Sequence, residues 1–200
     1  MPLRGEVAER GGDRVLAAEK ARLAIGERVL LESFTATIDR GDVVGLIGPN
    51  GAGKTTLLNA MVGRRETDGG ALRLGLSTAV AYYEQELTQL PTEKTIYDVI
   101  GDQRPLWSRG QVQGHLGRFS FSGDEVQRKV GTLSGGERAR VALASIMLSR
   151  ANFLVFDEPT NHLDVESIEA LEDAIESYEG TVLLVSHDRA LLRALATRVW

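Results

Sequence analysis

The sequence predicts an α/β fold: a core with a largely parallel sheet, an N-terminal antiparallel β subdomain, and a small helical insertion over about 87–132. Three observations predict it. DVVGLIG at 42–48, FLVFD at 153–157 and TVLLVS at 181–186 are short apolar runs, as expected of strands buried on both faces. Amphipathic stretches alternate with them, the order that a parallel sheet requires. Residues 87–132 break this alternation, with Pro91, Pro105, scattered arginines and no strong strand pattern.

In chain order, residues 5–33 hold Val15, Leu16, Val29, Leu30 and Leu31 between turn signals at Gly11-Gly12 and Gly26. Short antiparallel strands and hairpins are expected there. The strand at 42–48 leads into a helix with Leu57, Leu58, Met61 and Val62 on one face, stopping near Gly63. STAVAYYEQ at 77–85 reads as a strand. Beyond the insertion, a helix starts at Ser134 and turns Val141, Leu143, Ile146 and Met147 to the core. Asp164 suits an N-cap for a helix carrying Ile168, Leu171 and Ile175, ended by Gly180. A last helix runs from about Arg189.

Composition narrows the function classes. The 200 residues carry 23 basic and 28 acidic side chains, a net charge of −5. That argues against a protein held to nucleic acid by bulk charge, while leaving room for a local basic patch. There is no cysteine, so disulfides, Cys-ligated zinc and iron–sulfur clusters are excluded. The longest apolar stretch, VALASIML at 141–148, is too short to span a bilayer, and MPLRGEVAERGG at the start lacks a secretory apolar core. The chain is expected to be cytoplasmic, with no direct membrane insertion.

GPNGAGKT at 48–55 satisfies G-x-x-x-x-G-K-[ST], with a strand entering and a helix leaving. Gly48, Gly51 and Gly53 allow backbone turns that side chains would block. Their N–H groups then converge on phosphate at a helix N-terminus, and Pro49, Asn50, Ala52 and Thr56 are expected to complete the nucleotide-binding stretch. Lys54 is expected on the β- and γ-phosphates, and Thr55 on Mg²⁺. Asp157 ends the run FLVFD, where a carboxylate completes a Mg²⁺ shell through water. Glu158 points elsewhere and is placed to polarise an attacking water.

The chain also carries LSGGE at 133–137, Gln85 after a predicted strand, and SHD at 186–188. In this order the motifs resemble those of the ATP-binding-cassette ATPases, across essentially the whole chain. The resemblance implies a P-loop NTPase core that binds ATP and Mg²⁺. It further implies that Gln85 senses Mg²⁺ and the attacking water and links the core to the helical insertion, and that His187 contacts the γ-phosphate and helps hold the catalytic geometry. Ser134, Gly135 and Gly136 would bind the γ-phosphate of an ATP held by an opposing cassette, and Asp164 would lie in a loop crossing that interface. An aromatic residue normally stacks on adenine; the matching slot falls at about Ile25, which cannot stack.

Transporter cassettes typically read SALD after the acidic pair. TNHLD at 160–164 and SHDR at 186–189 instead resemble the ABC-F subfamily, whose members act on the ribosome. The stretch 117–140 is similar to the second of that subfamily's two cassettes. The chain is thus expected to be one nucleotide-binding domain, a fragment lacking a second cassette and linker, and weak in turnover unless dimerised head-to-tail. Arg104, Arg109, Arg118, Arg128 and Lys129 could meet RNA phosphates, or form a solvated face. The alternative reading is the nucleotide-binding subunit of a membrane transporter.

Overall fold

The structure is a computed structural model that describes residues 14–47, 53–161 and 163–200. In chain order its elements are β1 (Arg14–Ile25), β2 (Arg28–Asp39), β3 (Val43–Leu46), α1 (Lys54–Met61), β4 (Gly69–Leu74), β5 (Val80–Tyr82), α2 (Tyr83–Thr88), α3 (Ile96–Gln103), α4 (Arg109–Gly117), α5 (Gly135–Ile146), β6 (Phe153–Asp157), α6 (Val165–Glu176), β7 (Thr181–Val185), α7 (Arg189–Leu195) and β8 (Arg198–Val199). Two 3-10 turns lie at Gly123–Gln127 and Val130–Thr132. The chain divides into two units, residues 1–41 with 50–78 and residues 42–49 with 79–200.

The first unit is built on a three-stranded antiparallel sheet in the order β2-β1-β4. The expected short hairpins are in fact two strands of 12 residues each, joined at the two-residue turn Gly26-Glu27. Gly26 has φ 58, the conformation a two-residue hairpin loop requires. Residues 5–13 of the expected region lie outside the described residues. The alternation of β1 puts Leu16, Ala18, Ala21 and Leu23 in the core. Strand β4, GGALRL, had no strand signal: two glycines and an arginine hide it. Gly70 is required there, because with φ 67 a Cβ would sit 2.1 Å from the Lys20 carbonyl oxygen. Helix α1 buries Leu57, Leu58, Ala60 and Met61, close to the predicted face.

The second unit holds a five-stranded sheet in the order β5-β6-β7-β3-β8, with every pair parallel. Strands β6 and β7 are apolar at nearly every position because the sheet is covered on both faces. Phe153, Leu154, Phe156 and residues 182–185 are fully buried, each side chain contributing about 1.5–3 kcal/mol relative to exposure. The register aligns Leu46, Val185 and Asp157 across three neighbouring strands. Their carboxyl ends therefore lie side by side, the edge where open α/β sheets bind ligands.

Two further expectations are corrected. Residues 77–85 are not one strand: β5 covers only Val80–Tyr82, and α2 begins at Tyr83. The two tyrosines favour strand, but Glu84, Gln85 and Glu86 are good helix formers, and the two acids suit the positive end of a helix. Helix α6 stops at Glu176, four residues before Gly180, and leaves Ile168 only half-buried. Among the described residues no helix is long and apolar enough to cross a membrane.

Candidate functional site

Four loops or helices follow the carboxyl ends of β3, β5, β6 and β7. The one after β6 carries Asp157 and Glu158; the one after β7 carries Ser186, His187 and Asp188. Glu158 is a non-glycine residue at φ 47, a conformation that costs on the order of 1–3 kcal/mol. Its N–H donates to the Val185 carbonyl at 2.8 Å, so the strained turn is tied to β7. The Glu158 carboxylate then reaches His187. Nδ1 of the ring lies 2.7 Å from Oε2, and the His187 N–H also donates to Oε2 at 3.4 Å. The carboxylate is 15 % exposed and the imidazole 58 %, so a mostly buried acid is held by a ring that faces outward. Such a pair can orient a base toward water and present the other ring nitrogen to an anion.

Helix α1 has a different character. Its N-cap is Gly53 at φ 93, where a Cβ would sit 2.5 Å from Leu30 Cδ1. Lys54, Thr55 and Thr56 open the helix, and its first turn contains no acid. Helices α3, α4, α5, α6 and α7 are all capped by side chains, from Thr95, Ser108, Ser134, Asp164 and Asp188. Among the described residues, α1 alone of the α-helices has neither a side-chain cap nor an acid in its first turn. The positive end of a helix without a capping side chain, with an adjacent Lys, fits a polyphosphate. Gly48, Pro49, Asn50, Gly51 and Ala52 lie outside the described residues.

Helix α5 is closed at its start. Ser134 Oγ accepts from the Glu137 N–H at 3.2 Å, and Glu137 Oε2 accepts from the Ser134 N–H at 2.7 Å, a capping box. Arg128 grips the same carboxylate with both guanidinium nitrogens, at 2.6 and 3.2 Å. The Arg128 hydrogen bonds, with that from Ser134, pull the Glu137 carboxyl down to a pKa of about 2. Ser134 and Gly135 are exposed, while Gly136 is buried against α6. A Cβ on Gly136 would meet Asp164 Oδ2 at 2.4 Å. Asp164 caps α6 through Ser167 N–H at 2.8 Å, and the Ser167 hydroxyl donates to the Gly136 carbonyl at 3.1 Å. Hydrogen bonding to Asp164 from the Ser167 side chain and N–H holds its carboxyl below the usual range.

The structure therefore brings Glu158 to His187, and Asp164 to Gly136. Gln85 is the third residue of α2 and exposed, rather than following a strand directly. Ile25 is 47 % exposed at the end of β1, an aliphatic surface without a ring. Four of the five cationic side chains weighed for RNA are engaged within the chain: Arg128 with Glu137, Lys129 with Glu93, Arg118 with Ser177, and Arg104 with the Leu148 carbonyl. The Arg128–Glu137 clamp went unread in the sequence, although S-x-x-E at 134–137 is the capping-box pattern and could have revealed half of it. His162 lies outside the described residues.

The chain resembles known proteins in both sequence and fold. The ABC transporter family profile matches residues 31–161. The ATP-binding protein Uup of Escherichia coli K12 is 42% identical over 98% of this chain and 31% of its own length. The energy-dependent translational throttle protein EttA of the same strain is 37% identical over 94% of this chain and 35% of its own. Both are ABC-F family ATP-binding proteins. A solved RNase-L inhibitor superposes with a TM-score of 0.71 at 31% identity, covering 94% of this chain and 36% of that one. The chain spans about a third of the length of these curated relatives.

Proposed function

Because the chain belongs to the ATP-binding-cassette family, we propose that it binds ATP with Mg²⁺ and hydrolyses it as one half of a head-to-tail pair of cassettes. The observation that carries this reading is the Glu158–His187 pair, a strained and largely buried carboxylate oriented by an outward-facing ring. Gly53, Lys54, Thr55 and Thr56, with the loop at 48–52, hold the phosphates. Thr55, Gln85 and Asp157 offer the oxygen donors that suit a hard divalent cation sharing its remaining ligands with phosphate and water. When bound, Mg²⁺ neutralises charge on the phosphate oxygens. Glu158 accepts a proton from the attacking water, and His187 keeps that carboxylate aimed while meeting the γ-phosphate. Ser134, Gly135 and Gly136 serve the nucleotide of the opposing cassette, and Asp164 faces it across the interface. The whole of 1–200 is read as one nucleotide-binding domain from a longer protein, with 87–132 as its helical subdomain.

We further propose that the pair works as an ABC-F-type switch on the translation machinery, closing on ATP and opening on hydrolysis. Two observations support this over a transporter subunit: TNHLD at 160–164, and the level of identity to Uup and to a translational throttle protein. The test is sedimentation of the Glu158→Gln protein through ribosome-containing lysate with and without ATP and Mg²⁺. ATP-dependent movement into ribosomal fractions is expected. Co-purification with a membrane protein instead would favour the transporter reading.

A further inference from the structure

Helix α2 has six residues and no side-chain cap. A helix this short has little stability of its own, so its direction depends on what anchors it. Tyr83 and Glu86, three positions apart, lie on one face and both engage α5. The Tyr83 ring is buried, tilted against Phe156 with ring centroids 5.4 Å apart, and its hydroxyl donates to the Ala139 carbonyl at 3.5 Å. Glu86 Oε1 accepts from the hydroxyl of Ser145, which is 1 % exposed. The Ser145 oxygen in turn accepts from Gln103 Nε2, at the end of α3. Between the two anchors stands Gln85, on an exposed face of the helix.

We propose that Glu86, Ser145 and Gln103 are positioning residues for Gln85, tying α2 to α3 and α5. This rests on the reading that Gln85 serves Mg²⁺ and water. A carboxylate–hydroxyl–amide chain suits this task better than apolar packing. Its bonds are directional, and inside the protein a broken member leaves a buried polar group unpaired.

The experiment compares wild type with Glu86→Ala, Ser145→Ala, their double variant, Glu86→Gln and Gln85→Ala. Steady-state ATP hydrolysis and amide hydrogen exchange over 83–88 are measured on each, with melting curves to verify folding. Each single alanine variant should lower kcat about tenfold while KM for ATP stays within about twofold, the mark of misplacement rather than lost binding. Exchange over 83–88 should rise in parallel. The double variant should be no worse than either single one, because both break the same chain. Glu86→Gln keeps the acceptor for Ser145 and should restore both readouts. Unchanged kcat in the single variants, or losses that multiply in the double, overturns the proposal while leaving Gln85 in place if Gln85→Ala is impaired. Wild-type turnover in Gln85→Ala removes the underlying reading, and the proposal with it.

Discussion

Two helix N-termini in this chain are read as phosphate sites, α1 and α5, and they are built in opposite ways. Helix α1 begins at a glycine with φ 93, has no capping side chain and carries Lys54 in its first turn. Helix α5 begins at Ser134, closes its own first turn with a capping box, and fixes that box with Arg128. A helix end without a capping side chain suits an anion in the place of the cap. A self-capped end is stable without a ligand and offers only its exposed hydroxyl and glycine edge. The difference teaches that the first is suited to retaining a nucleotide and the second to recognising one already held elsewhere.

The comparison can be broken at several places. The largest effect is expected from Glu158→Gln, which removes the proposed base but no proposed phosphate contact: kcat should fall about 10²–10⁴-fold with ATP affinity retained, in a phosphate-release assay. Next is Lys54→Ala, which should weaken ATP binding by on the order of 100-fold, since hydrogen bonds to charged groups are worth about 1.5–3 kcal/mol and the residual charge contact is lost as well. Ser134→Ala should cost about 1 kcal/mol of stability through the lost cap, a fall in Tm of about 2–4 °C by calorimetry. The last is a pH effect. The Glu137 carboxyl is depressed from 4.5 to about 2, so its stabilisation is complete above the unfolded value and lost as pH falls through that window. In Tm–pH profiles, Glu137→Gln should therefore be less stable than wild type at neutral pH and converge with it as pH drops from 4.5 toward 2. A constant gap across that window would remove the ion pair from the account.

Much of this contrast was legible in the residues, and the reasons for the gaps are specific. GKT at 53–55 announced a helix start without a capping side chain, and Ser134 and Asp164 announced capped ones, because caps are local chemistry. The runs 153–157 and 181–185 announced buried parallel strands by being apolar on both faces. Strand β4 stayed hidden because what defines it is pairing with β1, and its glycine at 70 serves the Lys20 carbonyl rather than a turn. Tyr82 and Tyr83 hid the start of α2, whose second tyrosine faces α5. The Glu158–His187 contact joins residues 29 apart in sequence and depends on the register of β6 on β7, which no local pattern encodes. The positive φ of Glu158 is equally a tertiary consequence, held by its bond to Val185.

The most direct test of the contrast between the two ends is an equilibrium titration with ATP and Mg²⁺ at protein concentrations low enough to keep the chain monomeric. Wild type, Lys54→Ala and Ser134→Ala are compared. The account predicts that Lys54→Ala loses about two orders of magnitude in affinity while Ser134→Ala stays within about threefold of wild type, because only α1 holds a nucleotide without a partner. Equal losses in both variants, or wild-type affinity in Lys54→Ala, would contradict it.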